Sequence, residues 1–99
     1  MLNIDRKVEG NSLTMALTGR LDTTTAPELE KEVKENIEGM ENLTFDIASL
    51  EYISSAGLRV LLSAQKIMNK QGTMVVKNAS EEVKEIFEVT GFADILTIE

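Results

Sequence analysis

Apolar residues change their spacing along this chain, and that change constrains the fold more than any other feature. Leu2, Ile4 and Val8 alternate with polar residues, as do Leu13, Met15 and Leu17, which predicts two strands with one buried face each. Gly10-Asn11 between them is a turn pair tolerant of positive φ, so the two runs read as a β-hairpin. Leu29, Val33, Ile37 and Met40 instead recur at helical spacing, predicting a helix from about Ala26 to Glu38 with Gly39 to close it. Thr25 and Glu28 have capping-box separation, and Pro27 falls in the first turn, where a missing N–H costs nothing.

The two periods then alternate again. Leu43, Phe45, Ile47 and Leu50 belong to a strand region, and Ser55 to Gln71 to a second helix. The polar stripe of that helix is Arg59, Ser63, Lys66 and Lys70. Val60, Leu61, Leu62, Ala64, Ile67 and Met68 fill the rest, an apolar arc wide enough for a helix packed deep against a sheet. Gly72 suits the residue after a helix end, and Met74-Val75-Val76 reads as a short buried strand. Ser80 caps a third helix, whose Val83, Ile86 and Phe87 face inward until Gly91, and Ile95 to Ile98 is a weak final strand. The order β-β-α-β-α-β-α-β predicts one α/β domain over residues 1–99, its sheet containing parallel pairs and opened by an antiparallel hairpin.

Several chemistries are excluded or disfavoured. The chain has no histidine and no cysteine, so nucleophile–histidine catalysis is out and zinc or copper would lack its usual ligands. Its net charge of −7 repels phosphate backbones and anionic lipid, which argues against nucleic acid and membrane as partners. The start MLNIDRKVEG lacks the apolar core of a signal peptide, and no apolar run is long enough to span a bilayer, so the cytoplasm is the expected compartment. Neither a P-loop, a GxGxxG turn nor a GxSxG elbow is present. Asp22, Asp46 and Glu51 stand near strand ends, where two carboxylates can serve as an acid/base pair but far more commonly cap nearby N–H groups or are solvated, which is the reading favoured for these three.

The junction YISSAGLRVLL at 52–62 holds the candidate site. A serine before a helix is a good N-cap, which accounts for one of Ser54 and Ser55. Gly57 in a first helical turn costs roughly 0.5–1 kcal/mol against alanine and points to a tight turn or close approach by another backbone. A phosphate on Ser55 would add about −1.5 to −2 charges, which a helix N-terminus tolerates and a partner packed on that spot does not. On the residues alone, capping and switching both stay open.

Three segments, LTGRLDTTTAPEL at 17–29, LTFDIASLEYISSAGLRVLL at 43–62 and GTMVVKNASEEVKEIFEVTGF at 72–92, resemble the STAS domain, and within it the bacterial anti-sigma factor antagonists. The resemblance covers essentially the whole chain. It implies a mixed four- to five-stranded sheet with helices mainly on one face, and a binding protein that is not an enzyme; a monomer is the default expectation, and from the residues no cofactor or metal is expected. The implied partner is an anti-sigma factor that is a serine kinase of the histidine-kinase-like ATPase class. Its phosphorylation of the antagonist ends the interaction, and a phosphatase restores it.

By position, the resemblance makes Ser55 the phosphoacceptor, with Ser54 the runner-up. Asp22 matches the aspartate that shapes the neighbouring loop and aids kinase recognition, and Asp46 a structural position in the middle strand. Asp22, Thr23, Ser54, Ser55, Ala56, Gly57, Leu58 and Arg59 form the implied partner-binding set, with Leu58 and Arg59 on the interface edge of the helix. Ser54 departs from the pattern: aspartate is usual before the acceptor, and the change removes one charge and adds a competing hydroxyl. STAS domains also serve as constitutive modules in larger assemblies, transporter-associated complexes among them, which is the alternative reading without a phospho-switch.

Overall fold

A computed structural model describes residues 2–99. Strands β1 (Leu2–Glu9) and β2 (Ser12–Leu21) form the antiparallel hairpin, with Glu9 opposite Ser12. Parallel strands β3 (Asn42–Ile53) and β4 (Thr73–Lys77) extend the sheet in the order β1-β2-β3-β4. Helix α1 (Ala26–Asn36) connects β2 to β3, α2 (Ser55–Met68) connects β3 to β4, and α3 (Glu81–Val89) follows β4. Both crossovers advance to the next strand in the same direction, so their common right hand puts α1 and α2 on the same face.

Side-chain alternation matches that covering. The register lines up Leu13, Leu43 and Met74 in one row across the sheet and Met15, Phe45 and Val76 in the next, all buried. Leu29 and Val33 of α1, Leu61, Ala64 and Met68 of α2, and Val83 and Phe87 of α3 are buried in the same core. The intervening residues Thr14, Thr44 and Val75 point to the opposite face and are half-buried. Burying a side chain such as Phe45 or Phe87 contributes roughly 1.5–3 kcal/mol, so this single core supplies the main stabilisation.

Four local features depart from the sequence reading. The last strand shrinks to a single parallel bridge between Val76 and Ile98, making the sheet four-stranded. A 3-10 turn at Phe92–Asp94 uses up the preceding chain, leaving the Thr97 carbonyl and Glu99 N–H to bond Val76 at 2.9 Å each. Helices α1 and α2 end earlier than their apolar periods suggest, at Asn36 and Met68. Thr25 forms no capping box, because its Oγ1 turns back to donate to the Arg20 carbonyl and accept from Asp22 N–H, both at 2.8 Å.

Gly72 is the fourth. It has no left-handed backbone; a Cβ there would lie 1.8 Å from the Glu41 carbonyl oxygen, so space rather than handedness demands glycine. The adjoining Gln71 amide donates to the carbonyls of Ile37 and Met40 at 2.8 and 2.7 Å, tying the end of α2 to the end of α1. Gly72→Ala must therefore push two backbones apart. Urea unfolding of this variant is expected to show a loss of about 3 kcal/mol, the upper end of overpacking costs.

Candidate functional site

Strands β2 and β3 stop side by side. Leu21 pairs with Ile53, and the next residue, Ser54, donates its N–H to the Leu21 carbonyl at 2.8 Å. Beyond this point one chain enters the Asp22 loop and α1, the other enters α2. The N-termini of two helices are thereby set together at the carboxyl edge of parallel strands, where open α/β sheets usually place their sites.

The register that achieves this is not uniform. Between Ala16 and Thr18, and again between Gly19 and Arg20, β3 carries one more residue than β2. These bulges change the buried positions of β3 from alternation at Leu43, Phe45 and Ile47 to every third residue at Leu50 and Ile53. The Asp46 Oδ1 supports the first bulge by accepting Ala48 N–H and the Asn78 amide, both at 3.1 Å. The Asn78 hydrogen bond, then Ala48 N–H and the charge of Lys77, hold the Asp46 carboxyl below its ordinary range against the cost of burial. Asp46 is thus a backbone anchor.

Asp22 plays the same part in the neighbouring loop. Its Oδ1 accepts the Thr24 hydroxyl at 2.8 Å and the N–H groups of Thr24 and Thr25 at 3.0 and 3.1 Å, while its own carbonyl accepts Ala26 N–H at 2.8 Å. The Thr24 hydroxyl contributes most, with both backbone N–H groups helping, to hold this carboxyl below the usual aspartate range. The other oxygen, Oδ2, lies 3.9 Å from Arg20 Nε, and the Arg20 guanidinium stacks over the Tyr52 ring at 4.5 Å. Sequence reasoning missed this Arg20–Tyr52 pair, because the register that sets the two side by side depends on the two bulges in β3.

The two serines have different surroundings. Ser54 is the N-cap of α2, half-buried, and its Oγ accepts Gly57 N–H at 3.4 Å. Ser55 is the first residue of the helix and is exposed; among the described residues its hydroxyl has no hydrogen-bond partner. Gly57 is buried, and a Cβ there would come within 2.6 Å of Leu21 Cγ and 2.9 Å of Ile53 Cγ1. Side chains at the strand ends, and not another backbone, are what press on it.

The structure brings Thr23, Ala56 and Arg59 together along a shallow groove of about 360 Å³ between the first turns of α1 and α2. Leu58 is not with them. At 3% exposed it faces the core, and of the expected partner-binding residues on this turn of α2 only Ser55, Ala56 and Arg59 reach the surface.

Comparison with known proteins agrees with the fold. A family model described as the STAS domain matches residues 3–99. The chain is 36% identical over 94 residues to BtrV of Bordetella bronchiseptica, covering 93% of this chain and 80% of that protein. It is 30% identical over 98 residues to the anti-sigma-B factor antagonist of Bacillus subtilis, covering 98% and 90%. The structure of the Bacillus cell fate determinant SpoIIAA in its phosphorylated form superposes with a TM-score of 0.75 at 15% identity, covering 100% of this chain and 91% of that one.

Two outcomes are expected from this site. The Thr24 and Thr25 amide resonances should titrate with a midpoint below 3.8, the ordinary aspartate value, and the titration should vanish in Asp22→Asn. Because the native pKa is lowered, the stabilisation from Asp22 is complete above the unfolded value and is lost as pH falls through the native one. Gly57→Ala should cost about 1–3 kcal/mol in urea unfolding, since Leu21 must leave its place for the new methyl group.

Proposed function

The chain belongs to the STAS domain family, and we propose that it acts as an anti-sigma factor antagonist: it binds a serine-kinase anti-sigma factor and is released when that kinase phosphorylates Ser55. The observation that carries this reading is the unequal use of the two serines. Ser54 is occupied in capping α2, whereas Ser55 presents an unengaged hydroxyl at the exposed first position of the same helix. The Bacillus subtilis relative named as an anti-sigma-B factor antagonist supports the role, and the phosphorylated SpoIIAA structure supports the modification.

The physics of the site suits an off-switch. A phosphate of about −2 charge at α2 meets the positive end of the helix dipole and N–H groups without intrahelical acceptors, so the fold survives its addition. A partner packed over Ser55, Ala56 and Arg59 does not tolerate the same group, because three phosphate oxygens must then be desolvated at the contact. Asp22 has its Oδ1 committed to the Thr24–Thr25 turn, so its main part is to hold Thr23 in place beside Ala56.

This is a binding protein acting in the cytoplasm. A phosphatase would restore the free hydroxyl. No helix among the described residues is long and apolar enough to cross a membrane.

Intact-mass analysis after incubation with ATP and each serine-kinase anti-sigma factor of the source organism tests the reading. One added phosphate is expected, mapped to Ser55, lost in Ser55→Ala and kept in Ser54→Ala. A chain that binds its partner but takes no phosphate from any of these kinases would instead be a constitutive module.

A further inference from the structure

Charge is distributed unevenly over the three helices. Helix α1 carries four carboxylates against two lysines, and α3 four against one. Helix α2 carries Arg59 and Lys66 with no acid at all, and Lys70 lies two residues past its end. At 3.6 residues per turn, Ser55, Arg59, Ser63, Lys66 and Lys70 fall on one stripe, and all five are exposed. Among the described residues none of the three cations enters an ion pair; Lys31, Lys77 and Lys84 are unpaired too, but each stands alone among acids or apart from the others. A chain of net charge −7 thus keeps one helix face purely cationic, running directly down from the proposed switch residue.

We propose that this stripe is the docking face for an acidic surface of the partner protein, a surface that lies along α2 from Ser55 toward Lys70. The proposal rests on the reading of Ser55 as an off-switch, and the sign of that switch gives an independent reason for it. A basic partner surface over Ser55 would gain charge-assisted hydrogen bonds from a phosphate and bind more tightly after phosphorylation. An acidic partner surface adds repulsion of the phosphate to the desolvation cost already described and so sharpens release, and the three cations select the same sign. Electrostatic complementarity of this kind acts mainly on association rate and on the choice of partner.

The geometry also limits what the phosphate does. Arg59 lies one turn from Ser55, about 6 Å along the axis, but Lys66 and Lys70 lie roughly 16 and 22 Å away. The Debye length at physiological salt is about 8 Å. A phosphate of about −2 charge therefore outweighs Arg59, turning that end of the stripe negative, and leaves Lys66 and Lys70 unaffected. Phosphorylated protein keeps a weak, salt-sensitive attraction for the same partner.

Photo-crosslinking followed by charge reversal tests this. With p-benzoylphenylalanine introduced at position 63, in the middle of the stripe, and separately at the exposed position 18 on the uncovered sheet face as control, cells of the source organism are irradiated and the products mapped by mass spectrometry. The expected product from position 63 is a cross-link to a different protein, on a segment of net negative charge. With that protein purified, Lys66→Glu/Lys70→Glu should weaken binding at least about tenfold and flatten its salt dependence, while unfolding in urea stays cooperative with only the small loss of midpoint that acids at a helix C-terminus bring. A cross-link to a neutral or basic segment, to nucleic acid or to a second copy of this chain, products from position 18 alone, or none from position 63 would overturn the proposal. So would unchanged affinity in the double variant. An acidic partner that binds along the stripe but never phosphorylates Ser55 would leave the docking face standing and remove the switch.

Discussion

The 2.8 Å hydrogen bond from Ser54 N–H to the Leu21 carbonyl is the closure on which the rest of this site depends. It is the last contact between β2 and β3, and it makes the two strands finish at the same level. Everything functional follows from that common ending. The Asp22 turn and the Ser54 cap both begin there, and Gly57 lets the first turn of α2 settle onto Leu21 and Ile53. A side chain at 57 would lift the helix, and with it Ser55 and Arg59, away from Thr23.

Most of the architecture could be read from apolar spacing, because each element buries one face only. Leu13, Met15 and Leu17, and later Leu29 and Val33, lie in the core as their periods require. The two extra residues in β3 could not be read. Counting from the Ser12–Asn42 pair places Leu21 opposite Glu51, whereas the bulges place it opposite Ile53 and set Arg20 beside Tyr52. A bulge depends on local hydrogen bonds, here the Asp46 carboxylate with Ala48 N–H and Asn78, and leaves no period in the sequence. The missing capping box at Thr25 has a similar origin: its hydroxyl finds better partners behind it than ahead.

The candidate site was legible as a segment but not as a surface. Ser54 and Ser55 could not be told apart until the backbone of Ser54, at φ −96 and ψ 175, placed it outside the helix and Ser55 inside. Leu58 was legible in principle. It is three residues from Leu61 and seven from Gln65, both buried, which assigns it to the inner side of α2. Motif position groups residues by sequence, while contact with a partner depends on the angle around the helix axis.

Both edges of the sheet are blunted, and by different means. Strand β1 carries Asp5, Arg6, Lys7 and Glu9 along its outer edge, so a second strand arriving there must meet charges of both signs. On β4, the Val76 N–H and carbonyl are already taken by Thr97 and Glu99. Strand addition, the commonest unplanned way for small sheets to join, is thereby suppressed at either side. A crowded solution of this chain therefore presents no open backbone ladder at Val76, and along β1 only one flanked by charges of both signs.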